Sequence, residues 1–513
     1  MTAGFDLPGE LTSSRPPSAP IQTDFDDLFR SPGKRIAAFS QMQVRLYRHN
    51  VSLQDYFLPL QLGTLSRPKV NCSDQSASRP RFAWALRGLD TISRFRPRPK
   101  IKADVLFCPM PYFGRKTENR LLVRTLLGMA ETGATIVCLL QSSAPCGREL
   151  EARLTDAGRR SQVTFIDPTG SSNPMEARLR GPFSRMRAHS ALEETASILE
   201  PLGLSPGREV EAGFERTAYF ADAWERLAPS VEFDAVVARC HWNALCSSVC
   251  RTGLTRGKPV ITFQQGVIGH TLDVPVTASK FVAFGQSSAS FLAQVNTRFF
   301  RAVGTAEPPV EYVNGGSLFD EVNVLPDQFE RRTVLMVDVP VPADDFYGIE
   351  NQCRELMQLA EKLLTANLPL RRLVIRAHPH WSDMDFEFCQ RLVREHPDRC
   401  ELSHPSWSLE DDLRRSSAVV GIFSGVLTVS SACGLPTVFL DSEQGYSTRD
   451  LACFSPHQTL SSDAAFDHIG KVLSDRKANA EARSQALRNA REYYADGTNS
   501  GLTASFFERL LRT

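Results

Sequence analysis

The residues with the clearest chemical potential lie in the stretch RAHPHW (376–381), which directly follows an apolar run. That run predicts a buried strand, so Arg376, His378, Pro379 and His380 would lie at the carboxyl end of a strand. Histidine donates a hydrogen bond to a phosphate oxygen, and its protonated form adds charge to that bond. Pro379 would fix the direction of the turn. We interpret the stretch as a candidate phosphate site, with an ordinary polar turn as the alternative.

A second candidate is the stretch GIFSGVLTVSSACG (421–434), which predicts a strand followed at once by a helix. Backbone amides at a helix start bind phosphate, and Ser424 would cap this helix while Gly425 lets a ligand come close to the backbone. Ser430 and Ser431 follow about two turns later, either toward the same ligand or packed against the sheet. An ordinary N-cap is the alternative interpretation.

A third candidate is the turn TFQQG, where Gln264, Gln265 and Gly266 follow another predicted strand. His270 comes four residues after Gly266 and would reach the same edge. We expect these residues to form an acceptor-side wall opposite the other two candidates. The alternative is a loop whose amides only stabilise the turn.

Two successive series of elements must position these residues. The first series predicts strands at 103–108, 134–140, 161–167, 233–239, 258–263, 278–285 and 310–316, with helices at 119–133 and 241–254. The second predicts strands at 331–339, 371–377, 400–405, 418–423 and 436–441, with helices at 349–367, 384–396, 408–416 and 426–434. Three helices follow, at 463–474, 477–495 and 502–512.

Apolar strands that alternate with helices are typical of parallel βαβ units, so we predict an α/β protein with two doubly wound Rossmann-like domains. Ligands in such sheets bind beyond the carboxyl ends of the strands, here in a cleft between the domains that the terminal helices reach back across. The predicted boundaries are a disordered segment (1–35), an N-terminal extension (36–102), a first domain (103–325), a second domain (326–470) and C-terminal helices (471–513).

Bulk composition excludes several classes of function. Hydrophobic residues make up 42% of the chain and the net charge is +1, so a nucleic-acid-binding protein is not expected. No long apolar run or signal sequence is present, which predicts a cytoplasmic protein. Segment 79–102 carries eight Arg and Lys side chains against Asp90 alone. It is either a contact to the anionic inner face of a membrane or a solvated basic stretch.

The twelve cysteines are scattered without paired metal-ligand spacing. We therefore expect reduced core thiols, no metal and no disulfide framework. No cofactor is expected either, since a nucleotide-activated donor would be a substrate.

The motif order TFQQG, TASKFVAFG, VNGGSLFDE, IRAHP and FSGVLTVSSACGLPTVFL resembles bacterial surface-polysaccharide glycosyltransferases of the two-Rossmann (GT-B) type. The resemblance is to capsule and polysialyltransferase-like enzymes and to the CDP-glycerol glycerophosphotransferases, and it covers about residues 233–440. It implies that His378, positioned by Pro379, binds the donor phosphates and assists departure of the nucleotide. It also implies phosphate binding by Ser424 and Gly425.

Two positions depart from the family pattern. The first-domain turn usually reads Gln-His-Gly, but Gln265 stands at the His position here, and glutamine cannot act as a general base. His270 or a carboxylate such as Glu118 would take that role, although Glu118 is also interpretable as a solvated helix-start acid. The helix after Ser424 lacks the Glu that the family carries, and Asp441 and Glu443 are the nearby acids that would contact the donor.

These features predict a glycosyltransferase that moves a sugar from a nucleotide-activated donor to a surface polysaccharide or glycolipid acceptor. One alternative is transfer of a polyol phosphate from a CDP-linked donor. Another is a catalytically silent homologue that binds glycan or partner enzymes. A sugar-nucleotide epimerase shares the double fold but is disfavoured by the resemblance.

Overall fold

A computed structural model describes residues 100–109, 116–140, 145–168, 189, 193, 208–241, 244–264, 275–303, 306–316, 323–337, 350–376, 383–404, 408–422, 424–440, 459–493 and 502–512. The strands within these ranges form two separate sheets, and every strand pair in both sheets is parallel. Helices cover both faces of each sheet, which explains why the strands are apolar throughout rather than alternating.

The first sheet is built from the elements β1 (Ile101–Cys108), α1 (Lys116–Glu131), β2 (Ile136–Leu139), α2 (Pro145–Asp156), β3 (Val163–Ile166), α3 (Arg208–Leu227), β4 (Val231–Ala238), α4 (Ala244–Thr255), β5 (Val260–Phe263), β6 (Lys280–Ala283), α5 (Gln286–Val303) and β7 (Glu311–Asn314). Its seven strands lie in the order β3-β2-β1-β4-β5-β6-β7. The order reverses between β1 and β4, which is the switch point where doubly wound sheets bind ligands.

The second sheet is built from the elements β8 (Thr333–Val337), α6 (Glu350–Thr365), β9 (Arg372–Arg376), α7 (Asp383–Glu395), β10 (Cys400–Leu402), α8 (Leu409–Arg415), β11 (Ala418–Gly421), α9 (Gly425–Ala432), β12 (Thr437–Leu440), β13 (Thr459–Leu460) and α10 (Ser462–Ser474). Its six strands lie in the order β10-β9-β8-β11-β12-β13. This is the same winding as in the first sheet, with the switch point between β8 and β11.

Successive side chains of a strand point to opposite faces and so divide each core in two. In β1, Val105 and Phe107 join one hydrophobic cluster, while Leu106 and Cys108 join another. The first of these clusters continues into the second sheet, where it includes Val337. A single apolar cluster therefore runs across one face of both sheets.

Two terminal helices, α11 (Arg476–Tyr493) and α12 (Ala504–Leu511), complete that shared cluster. Helix α12 packs against α1 of the first sheet, and a Cβ at Gly128 of α1 would collide with the Leu502 carbonyl oxygen. Helix α11 packs against α9 of the second sheet and α5 of the first. The chain thus returns from the second sheet to the first after the second sheet is complete.

The prediction of two doubly wound α/β domains followed by helices is confirmed. Helices α2, α3 and α5 and the short edge strand β13 were not predicted. Strand β1 begins at Ile101, so the last residues of the basic segment belong to a strand.

None of the helices in the described ranges combines the length and apolarity that a membrane-spanning segment requires. Eight cysteines in the described part of the chain are free and buried, in agreement with the expected core thiols.

Candidate functional site

The carboxyl edge of the second sheet holds a row of three residues on one face. Arg376, the last residue of β9, is in register with Val337 of β8, and Val337 is in register with Gly421 of β11. Residues in register on neighbouring parallel strands point to the same face, so the row spans two strand spacings, about 10 Å. It crosses the end of β8 at the switch point, where this fold class binds ligands.

Helix α9 begins beside the end of this row. Ser424 has an extended backbone (φ −147°, ψ 137°), and its hydroxyl accepts a hydrogen bond from the Val426 amide at 3.2 Å. A Cβ at Gly425 would meet nothing within 4 Å, so the helix start is open to an approaching group. A Cβ at Gly421 would instead lie 2.7 Å from the Val337 carbonyl oxygen. Gly421 therefore allows the close turn from strand to helix, and Gly425 leaves the amides accessible.

The Arg376 side chain is held by two neighbours at the same edge. Its Nη1 donates to the Asp412 carboxylate and, at 3.3 Å, to the Ser403 hydroxyl. Ser403 in turn donates to the Asp412 Oδ2 atom at 2.6 Å. Asp412 lies in α8 with a fully buried side chain, whereas the Arg376 side chain is 26% exposed. The Arg376 guanidinium is therefore a positively charged group held in place at the row, on the sheet face that α9 also covers.

The other two serines predicted in α9 lie deeper in the helix. Ser430 donates to the Val426 carbonyl oxygen at 2.6 Å, and Ser431 donates to the Leu427 carbonyl oxygen at 3.1 Å. Both residues are buried. The structure therefore places them in the packed part of the helix and not at its start, and their role in donor binding stays a prediction.

The first sheet presents Gln264 at its carboxyl edge, directly after β5. The Gln264 Oε1 atom accepts the Phe284 amide at 2.7 Å, and its Nε2 lies 3.4 Å from the Tyr493 hydroxyl at the end of α11. The side chain is buried. In this arrangement Gln264 joins β5, the end of β6 and a terminal helix, so its described contacts are structural.

Two residues that were not predicted as functional follow β4 at the switch point of the first sheet. Arg239 is buried, its amide donates to the Cys108 carbonyl oxygen at 3.0 Å, and its Nη1 donates to the Gln264 carbonyl oxygen at 3.3 Å. His241 is also buried and meets the Phe281 ring edge to face at 5.7 Å. The sequence prediction began a helix at 241, whereas α4 begins at Ala244. The strand order, which places β4 beside β1 at the switch point, is the signal that would have identified this turn as a candidate site.

The remaining predicted site residues lie outside the described part of the chain. They are His270, His378, Pro379, His380, Gln265, Gly266, Asp441 and Glu443. Glu118 belongs to the first turn of α1, but its side chain is not among those described. Within the described ranges no group of three or more His, Cys, Asp or Glu side chains has an arrangement that holds a metal ion.

Comparison with known proteins gives similarity to solved structures, while no family model and no curated protein matches the chain. A candidate UDP-N-acetylglucosamine 2-epimerase from Listeria monocytogenes is 13% identical, with 79% of this chain and 94% of the other covered and a TM-score of 0.44. MurG from Acinetobacter baumannii is 13% identical, with 80% and 100% covered and a TM-score of 0.40. A glycosyltransferase from Rickettsia africae is 12% identical, with 81% and 100% covered and a TM-score of 0.43. Similarity at this level identifies neither a reaction nor a substrate for this chain.

Proposed function

We propose that the protein is a glycosyltransferase of the GT-B type, which moves a sugar from a nucleotide-activated donor to a surface polysaccharide or glycolipid acceptor. The observation that carries the proposal is the edge of the second sheet, where Arg376 and the start of α9 at Ser424 flank the end of β8 on one face. A cation and a helix start together favour a ligand with several phosphate oxygens. The motif resemblance selects a sugar nucleotide among such ligands.

The proposed reaction breaks the bond between the anomeric carbon and the donor phosphate while an acceptor hydroxyl oxygen bonds to that carbon. The departing nucleotide gains negative charge, which the Arg376 guanidinium and the amides at the start of α9 would stabilise. His378 would bind the same phosphates. The hydroxyl proton passes to a base, for which His270 and Glu118 are the proposed residues.

The acceptor would lie at the edge of the first sheet. Gln265 and Gly266 are the proposed contacts there, and Gln264 supports them from its buried position between β5 and α11. Arg239 and His241 follow β4 at the same edge. We therefore add this turn to the proposed acceptor wall, because it lies at the switch point of the first sheet.

We further propose that the protein works in the cytoplasm, where nucleotide-activated sugars would reach it. Segment 79–102 would hold it to the anionic inner face of the membrane through its basic and aromatic side chains. Lipid-linked acceptors would be presented at that surface.

Two other functions fit the same edge. A CDP-polyol phosphotransferase would use the phosphate contacts in the same way but would leave phosphorus in the new linkage. A silent homologue is favoured by Gln265, since that side chain cannot remove a proton. Phosphorus analysis of the product separates the first alternative, and nucleotide binding without turnover of any donor would support the second.

The test begins with thermal unfolding of the full chain in the presence of CMP, CDP, UDP or GDP. A ligand that binds only the folded state raises the midpoint temperature, so a selective increase identifies the donor base. Donors carrying that base are then assayed for transfer, with His378→Ala as the variant and His396→Ala as the matched control. His396 follows α7 and precedes β10, so it lies at the opposite edge of the sheet.

We expect His378→Ala to abolish transfer and His396→Ala to retain it. Full activity of His378→Ala would contradict the role of that residue. No stabilisation by any of the four nucleotides would contradict the proposed function itself.

A further inference from the structure

We propose that Asp412 and Ser403 are positioning residues, which orient Arg376 so that one edge of its guanidinium binds a pair of phosphate oxygens of the donor. The inference rests on the proposed function and adds two residues that no motif predicted. Asp412 lies in a helix with the charged sequence LEDDLRR, and Ser403 follows β10. Both accept a hydrogen bond from Arg376, which connects them to the row that Arg376 forms with Val337 and Gly421.

The Nη1 atom of Arg376 is already engaged by protein side chains. Nη1 donates to Asp412 and lies 3.3 Å from the Ser403 hydroxyl oxygen, while Ser403 donates to Asp412 at 2.6 Å. The three side chains therefore form a closed set of hydrogen bonds. This set fixes the guanidinium plane, which a single ion pair on a long side chain would leave free to rotate.

The opposite edge of the guanidinium carries the Nε and Nη2 donors. Neither Nε nor Nη2 of Arg376 has a hydrogen bond to any residue in the described part of the chain. These two N–H groups point in parallel and match two oxygens of one phosphate. The Arg376 side chain is 26% exposed, so the residue is within reach of a ligand, whereas the carboxylate that holds it is fully buried.

Arg376 and Gly421 point to the same face of the second sheet, and α9 packs on that face through Leu427. The end of β8 therefore has a cation on one side and a helix start on the other. A nucleoside diphosphate would bridge the two, with one phosphate on the Arg376 edge and the other at the α9 amides.

Asp412 Oδ1 is buried and has no hydrogen-bond partner among the described residues, so only half of the carboxylate is satisfied. A buried, half-satisfied carboxylate is a poor way to stabilise a fold, because apolar residues of similar volume serve as well or better. We attribute the arrangement instead to ligand binding, because it holds the Arg376 guanidinium in one orientation.

The experiment measures affinity of the full-length protein for UDP and CDP, and for uridine and cytidine, by isothermal titration calorimetry. The variants are Arg376→Lys, Asp412→Asn, Ser403→Ala and the double variant R376K/D412N. A matched control is available in the same strand, because Arg372 pairs with Glu401 at the start of β9 and away from the row. Arg372→Lys reports what loss of one Arg–carboxylate pair does by itself, and Glu401→Gln reports what loss of the carboxylate does, since Glu401 also pairs with Arg415.

We expect Arg376→Lys to weaken binding of the bound nucleoside diphosphate by about 10- to 100-fold, since it keeps the charge but loses the two parallel donors. Asp412→Asn and Ser403→Ala should each weaken it by about three- to tenfold. The double variant should bind no more weakly than Arg376→Lys, because both changes act on one contact. Affinity for the nucleoside and the behaviour of both control variants should be unchanged.

Asp412→Asn removes a negative charge, so a purely electrostatic role of Asp412 predicts equal or tighter diphosphate binding. That outcome, or full additivity in the double variant, would overturn the positioning role. Ser403→Ala gives the same test at constant charge if Asp412→Asn fails to fold. Wild-type protein that binds neither diphosphate would contradict this inference, and the proposed function as well if CMP and GDP also give no thermal stabilisation, whereas wild-type binding with unaffected Asp412 and Ser403 variants would contradict this inference alone.

Discussion

The Gln264 side chain connects the edge of the first sheet to the end of α11, with its Nε2 atom 3.4 Å from the Tyr493 hydroxyl oxygen. Its Oε1 atom accepts the Phe284 amide at 2.7 Å, and the whole side chain is buried. Replacing Gln264 by Ala removes a buried acceptor and a buried donor together. We expect a loss of about 1–3 kcal/mol in the free energy of unfolding, measured by urea denaturation.

Tyr493→Phe is the companion variant, since it leaves the shorter of the two Gln264 hydrogen bonds in place. The expected loss is smaller than for Gln264→Ala, because the 3.4 Å separation of the Gln264–Tyr493 contact lies beyond the usual hydrogen-bond range. If Gln264→Ala loses acceptor binding while its unfolding free energy stays unchanged, the residue contacts the acceptor instead of supporting the edge.

Gly421, at the end of β11, and Gly425, at the start of α9, should respond differently to replacement by alanine. Gly421→Ala places a methyl group 2.7 Å from the Val337 carbonyl oxygen and 3.3 Å from the Leu427 side chain. We expect a loss of about 1–3 kcal/mol in unfolding free energy from this overpacking. Gly425→Ala adds a methyl group in open space, so its stability should stay within about 0.5 kcal/mol of the wild type.

The same pair tests the helix start as a phosphate site. Gly425→Ala should nevertheless reduce the thermal stabilisation given by the bound nucleotide, because the methyl group obstructs approach to the backbone amides. Undiminished nucleotide stabilisation in Gly425→Ala would place the phosphates elsewhere.

The α12 helix should contribute strongly to the stability of the first sheet. Phe507 is fully buried, packs edge to face with Phe263 at 6.5 Å and fills the space beside Gly128. Phe507→Ala should cost about 3–5 kcal/mol, by analogy with other buried phenylalanines. Val324→Ala is the control, since Val324 is 57% exposed and should cost less than about 0.5 kcal/mol. A small loss for Phe507→Ala would mean that α12 is not part of the cooperative core.

Stability should fall on mild acidification because of His468 in α10. Burial, and secondarily the nearby Lys471 charge, lowers the pKa of His468 below its ordinary value. The unfolded chain, with a His pKa of about 6.5, then binds a proton more readily than the folded protein. The contribution of His468 is therefore complete above about pH 6.5 and is lost as the pH falls toward the folded-state pKa.

Urea midpoints compared at about pH 7.5 and about pH 5.5 measure this effect, with His468→Gln as the variant. The wild type should lose more stability than the variant across that interval. An identical pH dependence in both proteins would show that His468 does not titrate differently in the folded state.

Most elements of both sheets are predictable from the sequence because their strands are buried on both faces. Continuous apolar runs such as AVVGIF (418–423) contain an observed strand, here β11. Helix α9 is predictable from its flanks, since Ser424 caps it and Gly434, with φ at +75°, ends the helical segment. Helix α3 was missed because its many charges conceal the apolar side that includes the buried Trp224.

The site is less predictable because its contacts join distant segments. Asp412 belongs to a highly charged helix that is typical of an exposed surface, yet its side chain is fully buried against Arg376. Gln264 reads as a polar residue at a ligand edge, yet the arrival of Tyr493 from a terminal helix buries it. Neither contact is predictable from local sequence spacing, because the two residues of each pair come from different elements of the fold.

The docking of α12 on α1 has a consequence for biosynthesis. All seven strands of the first sheet leave the ribosome before α12 is translated. Phe263 and the groove beside Gly128 therefore lack their contact with Phe507 until α12 has been made. The nascent first domain would carry an apolar groove on its surface throughout translation of the second. Chaperone capture or protease attack on the growing chain would therefore concentrate at this groove, and synthesis of α12 would close it.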